Sequence, residues 1–89
     1  MAVLKFSPEA DDLLTELESD PRTVRCAARL NTALDKLEAD PGTAVNRRRR
    51  FQSLDLWAIP VVCGGDEWLI LWKQGEGDHV IVAHIVPAP

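Results

Sequence analysis

The hydrophobic positions of this chain change their spacing near residue 45, from a helical period to the alternation that is typical of strands. Before that point, the apolar stretch at 3–6 predicts a first strand. Ser7-Pro8 is typical of a helix start, and apolar residues at spacings of three and four continue to near Ser19. Asp20-Pro21 repeats the start signal, and a second apolar stripe runs to about Ala39. The short joint between these segments predicts an antiparallel helical hairpin.

The second half of the chain predicts four strands that are joined by short turns. Alternating apolar residues place these strands at about 46–52, 55–63, 67–73 and 79–86. Gly64-Gly65-Asp66 is typical of a tight hairpin, and short connections make neighbouring strands antiparallel. The expected fold class is therefore α+β, with an N-terminal strand, an antiparallel helical hairpin and a four-stranded antiparallel meander sheet. Its length indicates one domain that spans residues 1–89.

Two of the predicted strands are apolar on both faces, and two helices can cover only one face. Trp68, Ile70 and Trp72 alternate with Leu69 and Leu71. We expect one face to remain exposed and to bind a partner chain. The alternative is that the chain's own loops and termini cover this face. Tryptophans also stack on nucleobases, but strand parity inside a small core favours packing or partner binding.

Charge is segregated along the sequence, although the net charge is only −4. Residues 9–20 carry six acidic side chains and no basic one, whereas four consecutive arginines, Arg47 to Arg50, stand before the apolar strands. The acidic balance argues against general affinity for nucleic acid. The local basicity favours one specific contact with a polyanion or an acidic partner.

The cysteines and histidines predict no metal site, and nothing in the sequence calls for a cofactor. Cys26 and Cys63 stand far apart and match no ligand motif, so we expect two buried, free thiols in a reducing compartment. No apolar stretch approaches the roughly 20 residues that span a bilayer. Residues 1–8 also lack the basic and apolar regions of a signal peptide. The sequence therefore predicts a cytoplasmic protein without membrane contact.

The order of the predicted elements and several local stretches resemble the RelE/ParE superfamily of bacterial type II toxins. The stretch Phe6–Ala10 opens the first helix and Leu37–Pro41 closes the second; the arginine-rich strand is followed by the apolar stretches 54–61 and 67–72. The resemblance covers nearly the whole chain. It implies a growth-inhibiting toxin that is paired with an antitoxin protein. RelE-like members cleave messenger RNA in the ribosome without a metal, and ParE-like members inhibit DNA gyrase.

Metal-free RNA cleavage needs a general base, a general acid and cations for the phosphate. Arg48 and Arg50 share a parity opposite to Phe51, so they point to the open face if Phe51 faces the helices. Lys73 adds a cation for RNA or phosphate, and His84 is the candidate catalytic acid or base because histidine titrates near neutrality. The alternatives are a solvated edge strand for the arginines, solubility for Lys73 and a structural role for His84.

The predicted function is a RelE-like toxin that acts on translation, either as a metal-independent endoribonuclease (an mRNA interferase) or by ribosome binding. We expect Trp68, Leu69, Leu71 and Trp72 to bind the antitoxin. The nucleases of the family usually carry an arginine where this chain has Ala58, and this chain contains no tyrosine. These departures favour two alternatives, a ParE-like gyrase inhibitor and a catalytically degenerate partner-binding module. Self-association into a homo-oligomer through the bare face is a further alternative.

Overall fold

The structure, a computed structural model, describes residues 2–42, 49–51 and 55–88, with residues 49–51 described by their backbone. Within these ranges the helices and strands follow one another in the predicted order. Their bounds are β1 Val3–Phe6, α1 Pro8–Ser19, α2 Val24–Ala39, β2 Arg49–Phe51, β3 Leu56–Cys63, β4 Asp66–Gln74 and β5 His79–Pro87. The α+β class is confirmed, and the predicted bounds of β3, β4 and β5 agree with the structure to within one residue.

Ser7 begins α1 in the way that the sequence predicts. Its hydroxyl oxygen accepts a hydrogen bond from the Ala10 N–H at 3.2 Å. Pro8 occupies the first turn, where its missing N–H leaves no helix carbonyl unpaired. Leu14 and Leu17 then follow at helical spacing and are buried against the sheet. Within the described residues, neither helix is long and apolar enough to cross a membrane.

A turn at residues 20–23 separates α1 from α2, so α2 begins at Val24 rather than directly at the predicted start. The Asp20 carboxylate accepts hydrogen bonds from the Arg22 backbone N–H at 2.8 Å and from its guanidinium at 3.1 Å. The Arg22 side chain, followed by its backbone N–H, lowers the pKa of Asp20 below the usual value. This turn brings α2 back against α1 to form the predicted helical hairpin.

The five strands form one mixed sheet in the order β1-β5-β4-β3-β2. The pairs β2–β3, β3–β4 and β4–β5 are antiparallel, as expected for a meander. Gly64 adopts a positive φ of 62° in the β3–β4 turn, a conformation that glycine reaches without steric cost. The sheet is not purely antiparallel, because β1 pairs with β5 in parallel. This pairing brings the first and last strands of the chain together at one edge.

The two helices cover one face of the sheet, and the main core lies between them and that face. Trp72 is 0% exposed, and its ring centroid lies 6.4 Å from that of Trp57 at an interplanar angle of 30°. Aromatic pairs at such a distance add attraction beyond the burial of their surface. Leu30 of α2 is also fully enclosed. The predicted apolar face of β4 that includes Trp72 is therefore the face that the helices cover.

The opposite face, which we call the far face, is closed at its centre. A second apolar cluster occupies it, and all of its residues are at most 5% exposed: Leu56, Ala58, Leu69 and Leu71. Residues of β5 and the segment after it pack against this cluster, and the Ala88 N–H donates to the Glu67 carbonyl at 2.8 Å. The expectation that this face stays exposed is wrong for its central residues, because the chain's own C-terminal part covers some of it.

Cys26 and Cys63 form a disulfide that joins α2 to the end of β3, with 5.4 Å between their Cα atoms. The prediction of two free thiols is therefore wrong. The two cysteines are 37 positions apart in sequence. Such a spacing belongs to no short motif, and only the packing of α2 on β3 brings them together. Free thiols were one argument for the prediction of a reducing compartment, and the disulfide removes that argument.

Candidate functional site

A row of side chains crosses the far face where β1, β5 and β4 lie side by side. Parallel pairing sets Lys5 opposite Ile81, and antiparallel pairing sets Lys73 opposite the same isoleucine. Both lysines are exposed, and Ile81 between them is half-buried. Two strand spacings separate the Cα atoms of the lysines, about 10 Å. Lys5 thus joins Lys73 in one row, which sequence reasoning missed because the parallel pairing of β1 has no local signal.

A β-bulge in β5 brings His84 to the far face. The register changes from Leu71 opposite His84 to Trp72 opposite Val82, which leaves Ala83 without an opposite residue. Uninterrupted alternation, which the sequence favours, would group His84 with Val82 on the helix-covered face. The extra residue changes the face to which the following side chains of β5 point. His84 therefore lies opposite Leu71 on the far face, where it is exposed.

The lysines and the histidine together form one surface, which we call the basic patch and define as Lys5, Lys73 and His84. Lys73 follows Leu71 by two residues on the same face, and Leu71 is opposite His84. Lys73 and His84 are therefore diagonal neighbours, at a separation of about 7–8 Å. The fold thus brings together two of the predicted site residues and adds Lys5 to them.

Ser7 anchors the bulge of β5 to the start of α1. Its hydroxyl donates a hydrogen bond to the Ala83 carbonyl while accepting one from the Ala10 N–H. Its backbone N–H donates to the Val82 carbonyl at 3.0 Å. One serine therefore caps the first turn of α1 and is also hydrogen-bonded to the β-bulge of β5. Through this bulge it positions His84 on the far face.

The arginine run leads into β2, at the sheet edge remote from β1. The backbone register pairs Arg49 with Ala58, Arg50 with Trp57 and Phe51 with Leu56. The structure describes Arg50 and Phe51 by their backbone alone, so the direction predicted for the Arg48 and Arg50 side chains stays a prediction. Arg48 itself lies outside the described residues.

Arg49, rather than Arg50, is in register with the cross-strand row that contains His84. The row runs from Arg49 through Ala58 and Leu71 to His84. Three strand spacings separate its ends, about 14 Å between backbones.

The four residues predicted to bind an antitoxin are divided between the two faces and are mostly enclosed. Trp72 lies in the core under the helices, whereas Leu69 and Leu71 lie in the far-face cluster, and each is at most 3% exposed. Trp68 is half-buried at the margin of the helix-side core. In this conformation, Trp68 is the residue of the four that offers surface to a partner.

The basic patch has the chemistry of an anion-binding surface. Lysine ammonium groups attract phosphate as compact charges, and the His84 imidazole adds a group that forms hydrogen bonds. Ala58, at the position where family nucleases usually carry an arginine, is 0% exposed within the far-face cluster. Within the described residues, no group of three or more His, Cys, Asp or Glu side chains is arranged to hold a metal ion.

Comparison with known proteins does not assign this chain to a family. No protein-family model matches it, and no curated protein matches it significantly. The resemblance to RelE/ParE toxins therefore stays a prediction from the sequence, and the geometry of the far face carries the functional proposal.

Proposed function

We propose that this protein is the toxin of a type II toxin–antitoxin pair, of the RelE-like kind, and that it acts on translation through the basic patch. The observation that carries the proposal is the joint exposure of Lys5, Lys73 and His84 on one face of the sheet. The succession of strand, helical hairpin and meander supports it. The target is messenger RNA or ribosomal RNA, and a cognate antitoxin protein is the partner that restrains it.

The placement of acidic residues supports a local contact with RNA despite the net charge of −4. The acidic side chains of α1 lie on the helix side of the sheet: Glu9, Asp11, Asp12, Glu16 and Glu18. The sheet and its core lie between α1 and the far face, and salt weakens interactions between exposed charges. Repulsion between α1 and a bound polyanion is therefore screened.

Within this proposal, ribosome or RNA binding has better support than messenger RNA cleavage. Cleavage without a metal needs an acid and a base around one phosphate. Of the three residues in the basic patch, His84 alone is suited to proton transfer at neutral pH. Lysines about 10 Å apart suit the spaced phosphates of an RNA strand. Metal-free endoribonuclease activity centred on His84 is the enzymatic form of the same proposal.

A second candidate function, ParE-like inhibition of DNA gyrase, is favoured by one observation. Ala58 is fully enclosed among leucines at the place where family nucleases usually carry an arginine. An arginine would have to bury its charge there, at a cost that a small domain does not tolerate. A toxin that lacks this cation is better suited to binding a protein target than to cleaving RNA.

Growth after induced expression tests the proposal and separates the two targets. We expect arrest, with new in-frame messenger RNA ends if the protein cleaves, and with stalled translation but intact messages if it only binds. Arrest with DNA breaks and unaffected translation would select gyrase. No arrest would contradict both candidates and leave a partner-binding module.

Charge-matched variants connect the arrest to the basic patch. The Lys5→Ala/Lys73→Ala double variant should lose toxicity, whereas Arg25→Ala/Arg29→Ala, which removes two exposed cations from α2, should keep it. His84→Gln should abolish any new RNA ends, because glutamine cannot transfer the proton, and should weaken binding less than the double lysine variant does. Equal toxicity of the two double variants would remove the patch from the mechanism.

A further inference from the structure

The strand β1 forms one edge of the sheet, and its backbone groups divide between two sides. The N–H groups of Val3 and Ser7 donate to carbonyl groups of β5 and the turn before it, at 2.9 and 3.0 Å. Alternate residues of a strand turn their backbone groups to opposite sides. The N–H and C=O groups of Leu4 and Phe6 therefore point away from β5, to the outer side of β1. Among the described residues, no further strand pairs there.

A groove of about 440 Å³ lies between β1 and the C-terminal half of α2. Two large apolar side chains of β1 line it and remain accessible, since Val3 is 42% exposed and Phe6 is 37% exposed. The Ala2 N–H donates to the Glu38 carbonyl at 2.9 Å and holds the start of β1 against the end of α2. Unpaired backbone groups and open apolar surface therefore lie along one groove whose walls are joined at one end.

The wall that α2 contributes to this groove is acidic. Asn31, Asp35 and Glu38 line it, and the described lining contains no basic side chain. Asp35 is exposed, and Glu38 is half-buried. Because residues three apart on a helix share a face, with about 5–6 Å between their Cβ atoms, the two carboxylates attract the same cation. This wall repels a phosphate backbone and favours a basic side chain.

Strand pairing determines which side chains of an added strand reach the acidic wall. Leu4 and Phe6 are paired with valines of β5 that lie in the core under the helices. Residues directly opposite each other in a sheet share a face. A residue opposite Leu4 or Phe6 in an added strand therefore points to the helix side, toward α2. The residue between them points to the far face, beside Lys5.

We infer that the outer side of β1 binds an extended segment of a partner protein by strand addition. The segment carries a lysine or arginine toward Asp35 and Glu38 and an acidic residue beside Lys5. A second copy of β1 is a poorer occupant. The antiparallel register in which Leu4 and Phe6 of two copies bond to each other places Lys5 opposite its counterpart, and like charges in that position are destabilising. The inference goes beyond the proposed function and does not require it.

N-methylated peptides test whether the segment binds as a strand. The probe is the acetylated, C-terminally labelled peptide Val-Glu-Lys-Glu-Val, and fluorescence anisotropy measures its binding to the purified full chain. In either strand direction, the N–H groups that face β1 belong to alternate residues. One control peptide is N-methylated at the first valine and the lysine, and the other at both glutamates. One of them should bind at least about tenfold more weakly because it loses two strand hydrogen bonds, and the other should bind within about twofold of the probe.

Charge reversal on α2 tests the acidic wall. Asp35→Lys/Glu38→Lys should weaken binding of the unmethylated probe about tenfold, because repulsion of its lysine replaces attraction. Asp12→Lys/Glu16→Lys changes the net charge equally on an exposed part of α1 outside the groove, and its effect should stay below about twofold. Circular dichroism checks that each variant is folded. If the first double variant unfolds, Asp35→Asn/Glu38→Gln replaces it, with an expected loss of about threefold.

Several results would overturn the assignment. These are equal binding of the two methylated peptides, equal effects of the two charge reversals, or no binding of the probe at about 1 mM. A concentration-dependent dimer that the probe dissociates would assign the edge to a second copy instead. Growth arrest is a separate readout. A protein that arrests growth and binds no probe would overturn this inference and leave the proposed function intact.

Discussion

The two faces of the sheet share their strands but are closed by different means. On the helix-covered face, α1 and α2 enclose large residues such as Trp72, and the Cys26–Cys63 disulfide ties α2 to β3. On the far face, a small cluster around Ala58 is covered in part by the end of the chain itself. Around that cluster, Lys5, Lys73 and His84 remain exposed. Most of the stabilising burial is therefore on one face, and the basic patch is on the other.

This difference shows that apolar residues on both faces of a strand do not by themselves indicate an open binding surface. Leu69 and Leu71 alternate with the tryptophans of β4, yet both are buried without a helix above them. Ala83, Val86 and Ala88 pack against the cluster that contains these leucines. The surface that is left for a partner is the polar margin of this cluster rather than its apolar centre.

Removing the large aromatic residue of the helix-covered face should have the greatest effect on stability. Trp72→Ala leaves a cavity among residues that cannot fully collapse into it, and should lower the free energy of unfolding by about 3–5 kcal/mol. Leu71→Ala, its neighbour on the far face, should cost about 2–3 kcal/mol. Urea denaturation of both variants measures the difference. An equal or larger loss for Leu71→Ala would mean that the far face contributes as much stability as the face under the helices.

The disulfide should contribute nearly as much, because it restricts the unfolded chain over a long loop. Closing a loop across 37 positions corresponds to about 4 kcal/mol at 25 °C in the chain-entropy description. Cys26→Ala/Cys63→Ala should therefore have a lower unfolding midpoint than the oxidised protein. The parent protein treated with dithiothreitol is the matched comparison, and the variant itself should not respond to reductant. A parent protein whose midpoint does not change on reduction would contradict a stabilising role for this bond.

Ser7→Ala should have a smaller effect that reaches both faces. The change removes the cap of α1 and the hydroxyl that donates to the Ala83 carbonyl, at a cost of about 1–2 kcal/mol. Because the bulge at Ala83 determines the parity of β5, the nuclear magnetic resonance signals of the His84 ring should also shift. Ser19→Ala, at the other end of α1, is the control and should leave both quantities nearly unchanged. A Ser7→Ala protein with an unaltered His84 signal would show that the bulge does not depend on this hydroxyl.

Local signals were sufficient to predict the elements and most of their bounds. Ser7-Pro8 predicted the start of α1, because a capping hydroxyl is favoured just before the helix and proline is favoured at its first position. Gly64-Gly65 predicted the β3–β4 turn through the freedom of glycine at positive φ. These features depend on interactions within a few residues, so the sequence contains all the information that they require.

The candidate site depends on contacts between distant parts of the chain, and these were not predictable in the same way. The parallel pairing of β1 with β5 brings Lys5 beside Ile81, and no neighbouring residue of Lys5 signals it. The bulge at Ala83 reverses the parity that alternation assigned to His84. The disulfide likewise joins cysteines that meet only after α2 packs on β3. In each case the deciding contact exists only in the folded protein.

The smallest effect on stability is expected at the basic patch. Lys5→Ala/Lys73→Ala removes two exposed side chains that face solvent on the far face, so the free energy of unfolding should change by less than about 0.5 kcal/mol per site. The same variant should bind single-stranded RNA more weakly, and the log–log slope of affinity against salt should fall by about 0.7 for each phosphate that the protein no longer neutralises. Urea denaturation and fluorescence anisotropy at several salt concentrations measure the two quantities on one sample. A loss of RNA binding accompanied by unfolding would show that the lysines support the sheet. Unchanged stability with unchanged binding would remove them from the functional surface, and the two faces would then differ only in how they are packed.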